Sequence, residues 1–309
     1  MYLLPLSAII VMAGISCSTD DSIATTTEET TANSVDRSNV SSTFTINLNP
    51  SECNVDLGIG SAYNETVDVA SDTRTISINN IPDHLVGTFP NAGNPNTIQA
   101  MNSTYEMTLS PSISGSTQMA QGYEFGVLFS GVTMDPYTAE FFVGSSGVNM
   151  EWNITTLTTT VNLGLDCNNA HVQPTGKYHY HGTPSAYTNA MNIDGTEMVK
   201  VGYAADGFPM YYKYGYDEDG VSIIALESGY QLRSGSRGGD GNSAPDGCYD
   251  GTYFQDYEFV DESSVLDACN GRFGKTPDSE NEYYYVITDN FPSSPLCFMG
   301  TPSQDFRFQ

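Results

Sequence analysis

The sequence predicts a mainly β fold, with sandwich- or barrel-like antiparallel sheets and a few short helices. Three observations carry that expectation. Segments of β-branched and aromatic residues alternate with polar ones at a period of two along most of the chain. Turn clusters separate them, as in "PNAGNPN" at 90–96 and "PSISGS" at 111–116. No helical period is sustained, and no repeat recurs at solenoid spacing.

Taken in order, residues 1–17, "MYLLPLSAIIVMAGISC", form an apolar run too short to span a bilayer comfortably, ending in small residues. That is the layout of a signal peptide. "AGISC" resembles a bacterial lipobox, which implies lipidation at Cys17, although Gly14 stands where a lipobox has leucine. "CSTDDS" resembles the acidic export tag of surface lipoproteins. The expectation is a chain anchored through Cys17 to outer-membrane lipid at the cell surface; a secreted or periplasmic chain cut near Ser16 is the alternative. Residues 18–45 are dominated by Thr, Ser and acids, cannot bury enough surface to offset ordering entropy, and read as a disordered tether. Residues 46–309 are expected to form a single large β domain.

Within that domain "STFTINL", "RTISINNI", "TYEMTL", "YEFGVLF" and "NITTLTTTVNL" read as strands. "DPYTAEFFV" reads as a short helix, with Asp135 as cap and Pro136 at the first helical position. Beyond residue 184 "MVKVGYA", "PMYYKYGY", "VSIIAL", "GTYFQDYEFV" and "EYYYVIT" continue the strands. "GYDEDGVSI" reads as a hairpin with its tip at Asp217–Gly220. "DESSVLDACNGRF" reads as a second short helix, started by Asp261 or Ser263 and ended by Gly271.

A net charge of -27 excludes nucleic acid and anionic membrane surfaces as partners, because both demand clustered cations. Eight of the ten cationic residues lie at or after Lys177, so the acids nearby can pair with them. Apart from Cys17 the cysteines are Cys53, Cys167, Cys248, Cys269 and Cys297, which allow at most two bridges and several connectivities. Four of these five lie in the second half, so the bridges are expected there, with Cys53 left over.

The chemistry concentrates in "CNNAHVQPTGKYHYHGTP", residues 167–184, which hold three of the four histidines. "QPTGK" has Pro174 and Gly176 where a three-residue hairpin loop with a glycine bulge needs them. That loop pairs Val172 with Tyr178 and His171 with His179, and alternation then puts His181 on the same face, with Tyr178 and Tyr180 on the other. A loop longer or shorter by one residue would move His171 to the tyrosine face. Three converging neutral imidazoles suit Zn(II), Cu(II) or Ni(II), and leave a fourth coordination position open. Asp166, Asp206 and Asp250 are candidates to fix the ring tautomers. The competing possibility is that the histidines and tyrosines are hydrogen-bonded sheet residues.

The same stretch is similar to the defining motif of the YHYH family, exported proteins named for the tetrad that stands here as Tyr178, His179, Tyr180 and His181. "DPYTAEFF", "DGFPMYY", "CYDGTYFQDYEFV", "LDACNGRFG" and "PSSPLCFMGTP" agree with it, so the resemblance covers about residues 70–302. It implies a site around His171, His179 and His181 and no particular reaction.

Other motifs fail. "CNGRFGKT" has Cys269 where a phosphate loop needs glycine, and "GSSGV" lacks the last glycine of a nucleophile elbow. Asp240, Asp246 and Asp250 lack regular calcium-ligand spacing and fit a surface loop better. Three function classes remain: capture of zinc or copper, a metal-dependent hydrolase or oxidase, and an adhesion or glycan-binding module with a tyrosine platform. A fourth protein ligand would favour capture, and an open position in a cleft would favour chemistry.

Overall fold

In a computed structural model, which describes residues 42–261 and 265–308, the chain is mainly β. An eight-stranded sheet forms its centre, in the spatial order Gly271–Gly274, Glu282–Ile287, Pro209–Tyr212, Lys200–Ala204, Gly126–Leu128, Thr133–Met134, Tyr178–Tyr180 and Ala170–Val172. The sheet is mixed and open. Pro209–Tyr212 runs parallel to Glu282–Ile287, and Tyr178–Tyr180 runs parallel to Thr133–Met134, where an antiparallel sheet was expected. Those parallel partners lie dozens of residues apart in the chain, a distance over which alternation patterns carry no pairing information.

A three-stranded sheet of Tyr63–Asp68, Thr73–Ile78 and Ser103–Thr108 packs Ile76, Ile78, Tyr105 and Met107 into the same core. The hairpin of Tyr214–Tyr216 and Ile223–Ala225 forms as expected, with Asp217 accepting from the Val221 and Ser222 amides at its tip.

The helix expected after Asp135 does not form, nor does the one expected at "DESSVLDACNGRF" continue through its described residues 265–273. Asp135 does cap, but it caps a turn: its carboxylate accepts from the Tyr137 amide, while its own amide donates to the Tyr180 carbonyl and continues the parallel ladder. Phe141–Gly144 then enters a hairpin with Gly147–Asn153. In "DESSVLDACNGRF" residues 265–270 make turns and Gly271 opens a strand; residues 262–264 lie outside the described part. Asp267 decides this, accepting from the Cys269 and Gly271 amides and so fixing a tight turn. A helix that was not expected forms at Ser185–Ala190; Asn168 caps it from outside by accepting from the Ala186 amide.

Cys53 is bridged to Cys167, against the expectation that it would be left over, and Cys269 is bridged to Cys297. The reason is a strap of chain before Cys53. Asn47 and Asn169 exchange amide hydrogen bonds, bringing the Cys53 and Cys167 Cα atoms to 5.6 Å, well inside the span a disulfide bridges. Such bridges suit an oxidising compartment outside the cytosol. No helix among the described residues is long and apolar enough to cross a membrane. The signal peptide, Cys17 and nearly all of the tether lie outside the described residues.

The core is unusually rich in tyrosine, and many of the acids serve it. Buried Tyr105, Tyr178, Tyr283 and Tyr285 donate to Glu124, Asp166, Asp267 and Asp206. A buried phenol must find an acceptor or lose a hydrogen bond, and a carboxylate is the strongest acceptor in the side-chain set. Part of the chain's acidity is therefore internal. Asp206 illustrates the cost: burial raises it to about 6 although Tyr285 and the Gly300 amide donate to it.

Candidate metal centre

The hairpin turn sets the site. Gly176 has φ +92°, the Gln173 and Lys177 main chains bond at 2.9 Å, and the register is Val172 with Tyr178 and His171 with His179. A side chain at position 176 would strike Gln99, with a Cβ only 2.8 Å from the Gln99 Cβ. His181 lies one residue past its strand, held there by its amide on the Asn169 carbonyl and its carbonyl on the Ser294 hydroxyl. The histidines therefore share one face. Their ring centroids stand 4.6–4.8 Å apart, and a nitrogen from each lies within 4.8 Å of the others.

For His171 the hydrogen bonds settle which nitrogen points inward. His171 Nδ1 donates to the Leu163 carbonyl at 2.9 Å and leaves Nε2 bare. That atom faces His181 Nε2 at 3.1 Å. Four ligands around zinc at about 2.0–2.1 Å stand roughly 3.3–3.4 Å apart, so the closest nitrogen pair already has the spacing of a shared ion. His179 and His181 are buried, and burial together with the neighbouring rings pushes both well below the usual histidine range; burial lowers His171 as well. All three are neutral near pH 7, the form that ligates. His181 Nδ1 is buried without a hydrogen-bond partner.

The face opens on a cleft of about 870 Å³ whose floor includes all three histidines. Asp135 and Glu140 line it as well. Asp135 arrives there because His179 pairs with Thr133, and alternation carries Asp135 onto the histidine face. Burial and the nearby Glu124 raise Asp135 well above the carboxylate range. No Cys, Asp or Glu joins the three histidines as a fourth ligand among the described residues.

The carboxylates expected to orient the rings bond elsewhere. Asp166 accepts from the Tyr178 hydroxyl and the Gly87 amide, Asp206 from Tyr285 and Gly300, and Asp250 from Arg237. A main-chain carbonyl takes the role for His171. Tyr178 and Tyr180 point to the opposite face, as alternation predicts. Tyr178 bonds Asp166 and Asn168, and Tyr180 bonds Ser130 and His84. Every described tyrosine is buried or half-buried, so no exposed tyrosine platform exists among the described residues. The Gly-rich loop near Asp240 and Asp250 is pinned by Arg237, which pairs with Asp250 and Asp256.

Two supports were not legible in the sequence. Lys177 shares the histidine face and is buried against Glu124, with Tyr105 and Thr133 completing the hydrogen bonds. Replacing Lys177 with methionine leaves Glu124 as an uncompensated buried charge and is expected to lower unfolding free energy by about 3–4 kcal/mol in a urea titration. Its partner lies 53 residues upstream in a different strand region, and only the folded sheet brings the two together.

The other support is His84. Its Nδ1 donates to the Leu85 carbonyl, its Nε2 accepts from the Tyr180 hydroxyl at 2.6 Å, and burial lowers it from 6.5 to about 4. The folded state resists a proton that the unfolded state takes up below 6.5, so stability falls as pH drops through the window from 6.5 to about 4. The slope from this group reaches at most about 1.4 kcal/mol per pH unit. Urea midpoints taken from pH 7 to 4.5 should therefore decline more steeply in the wild type than in His84→Gln.

A disulfide-bonded, mainly β protein that assembles three neutral imidazoles from one hairpin at the floor of a cleft is the class these observations define. The chain belongs to the YHYH family: the family model described as "YHYH protein" matches residues 104–300. No curated protein and no solved structure matches it.

Proposed function

We propose that this chain is an exported protein that binds one transition metal ion, Zn(II) or Cu(II), through His171, His179 and His181, and presents it to a small ligand in the adjoining cleft. The observation that carries this reading is the convergence of three neutral imidazoles on one face, two of them with facing Nε2 atoms 3.1 Å apart. Nothing but a proton on His181 Nε2 or a shared cation can bridge that gap, and three nitrogen donors favour Zn or Cu over Ca or Mg. With three ligands from the chain and a cleft at the fourth position, the site resembles reactive metal centres more than closed structural ones. Attachment to outer-membrane lipid through Cys17 is part of the same proposal, and Cys17→Ser should then move the protein from the membrane to the soluble fraction.

The test is metal analysis of protein purified without a His-tag, followed by calorimetric titration of the stripped protein with Zn(II) and Cu(II). One ion per chain is the expected result. Less than a tenth of an ion per chain, with no saturable binding of either metal, would remove the proposal.

A further inference from the structure

The cleft above the histidines has a chemistry of its own. Its walls include Ala139, Phe141, Met150, Leu163 and Phe308, and among the described residues no Lys or Arg lines it. Lys177, the cation that alternation puts on the histidine face, is committed to Glu124. The acidic side chains that do reach the cleft are Asp135, which burial and Glu124 push toward its neutral form, and Glu140. A phosphate, sulfate or carboxylate substrate would meet the acidic side chain of Glu140 there, with no cation among the described residues to receive it. An uncharged substrate with an apolar flank meets neither penalty.

The two carboxylates differ. Asp135 is only 6% exposed and accepts from the Tyr137 amide. Glu140 is half-buried, and its carboxylate has no hydrogen-bond or ion-pair partner among the described residues, although its main chain is held by Ile154, Asn153 and Thr138. Glu140 thus brings a carboxylate on a fixed backbone into the cleft that the three histidines floor, close enough to His171 to act on its ring electrostatically. Copper oxidase chemistry using the tyrosines of the motif lacks this support, because Tyr178 and Tyr180 are bonded on the opposite face.

Resting on the metal reading above, we infer that the cleft hydrolyses uncharged carboxylic esters or amides carrying an apolar group, with Glu140 as the general base. Glu140 takes a proton from water held at the metal as the oxygen attacks the substrate carbonyl carbon and a C–O bond forms. Collapse of the tetrahedral intermediate breaks the bond to the leaving alcohol or amine, which receives that proton from Glu140. The acid product leaves as a carboxylate, releasing its remaining proton to solvent. No oxidant or further reactant is needed.

The test uses untagged full-length protein loaded with Zn(II), with p-nitrophenyl butyrate as the uncharged ester and p-nitrophenyl phosphate as its anionic counterpart. The expected result is zinc-dependent turnover of the butyrate, no turnover of the phosphate, and a fall in kcat of about 100-fold or more in Glu140→Gln at unchanged zinc affinity. Equal kcat in Glu140→Gln, or preference for the phosphate ester, overturns the assignment. Zinc binding without any ester hydrolysis also overturns it, while leaving the metal site standing. Failure of the wild type to bind zinc or copper would instead sink the underlying reading. His179→Ala controls for hydrolysis by metal held elsewhere on the surface.

Discussion

His179→Ala should bind zinc on the order of 1000-fold more weakly than the wild type. Changes to groups that merely orient a metal ligand cost about 10- to 100-fold, and loss of a ligand exceeds that. His179 is central to the cluster: its ring touches both neighbours at 4.8 and 4.6 Å between centroids, and it is 2% exposed. Alanine leaves two imidazoles and a hole where the third stood.

The same result should appear in stability. A ligand at about 1000 times its Kd stabilises the folded state by about 4.1 kcal/mol, so zinc should raise the wild-type melting temperature and leave that of His179→Ala nearly unmoved. His171→Ala, which removes a less buried ring, provides a second variant if His179→Ala folds poorly. Equal zinc-induced shifts in wild type and both variants would mean that the three histidines do not hold the ion.

Breaking the Cys53–Cys167 bridge by a double serine substitution should cost more stability than breaking Cys269–Cys297. The bridges span sequence separations of 114 and 28 residues. Loop-closure entropy then gives about 4.8 kcal/mol for the longer and about 3.6 kcal/mol for the shorter in the chain-entropy model. Denaturant titration of the two double variants at pH 7 reads the difference directly; the reverse order would show that the shorter bridge holds contacts the entropy model ignores. The longer bridge also bears on the site. Cys167 lies four residues before His171, and Asn168 and Asn169 between them cap the helix at Ser185 and hold the His181 amide. Its loss should therefore weaken zinc binding too, since the hairpin would then be tied to the strap by the Asn47–Asn169 hydrogen bonds without the covalent link.

Different parts of the fold were legible to different degrees. Strands with clear alternation, such as Thr73–Ile78 and Ser103–Thr108, appear where expected, as does the aromatic and β-branched run Glu282–Ile287. The expected helix after Asp135 does not form, because a cap followed by proline starts a turn as readily as a helix, and the ladder with Tyr180 decides between them. "STFTINL" contributes only an isolated bridge of Phe44 with Thr158, since a strand pattern cannot name its partner.

By itself the sequence determined the hairpin. Pro174 and Gly176 fix a loop length, loop length fixes register, and register puts His171, His179 and His181 on one face with both tyrosines on the other. Every step spans ten residues or fewer, within reach of local steric rules. Tertiary structure alone decided what surrounds that face. Asp135 arrived through parallel pairing, Glu140 on the chain that follows it, Glu124 as the buried partner of Lys177, and Cys53 through a strap that crosses to Cys167. Such contacts depend on which distant segments share the core, and alternation, spacing and composition do not encode that choice.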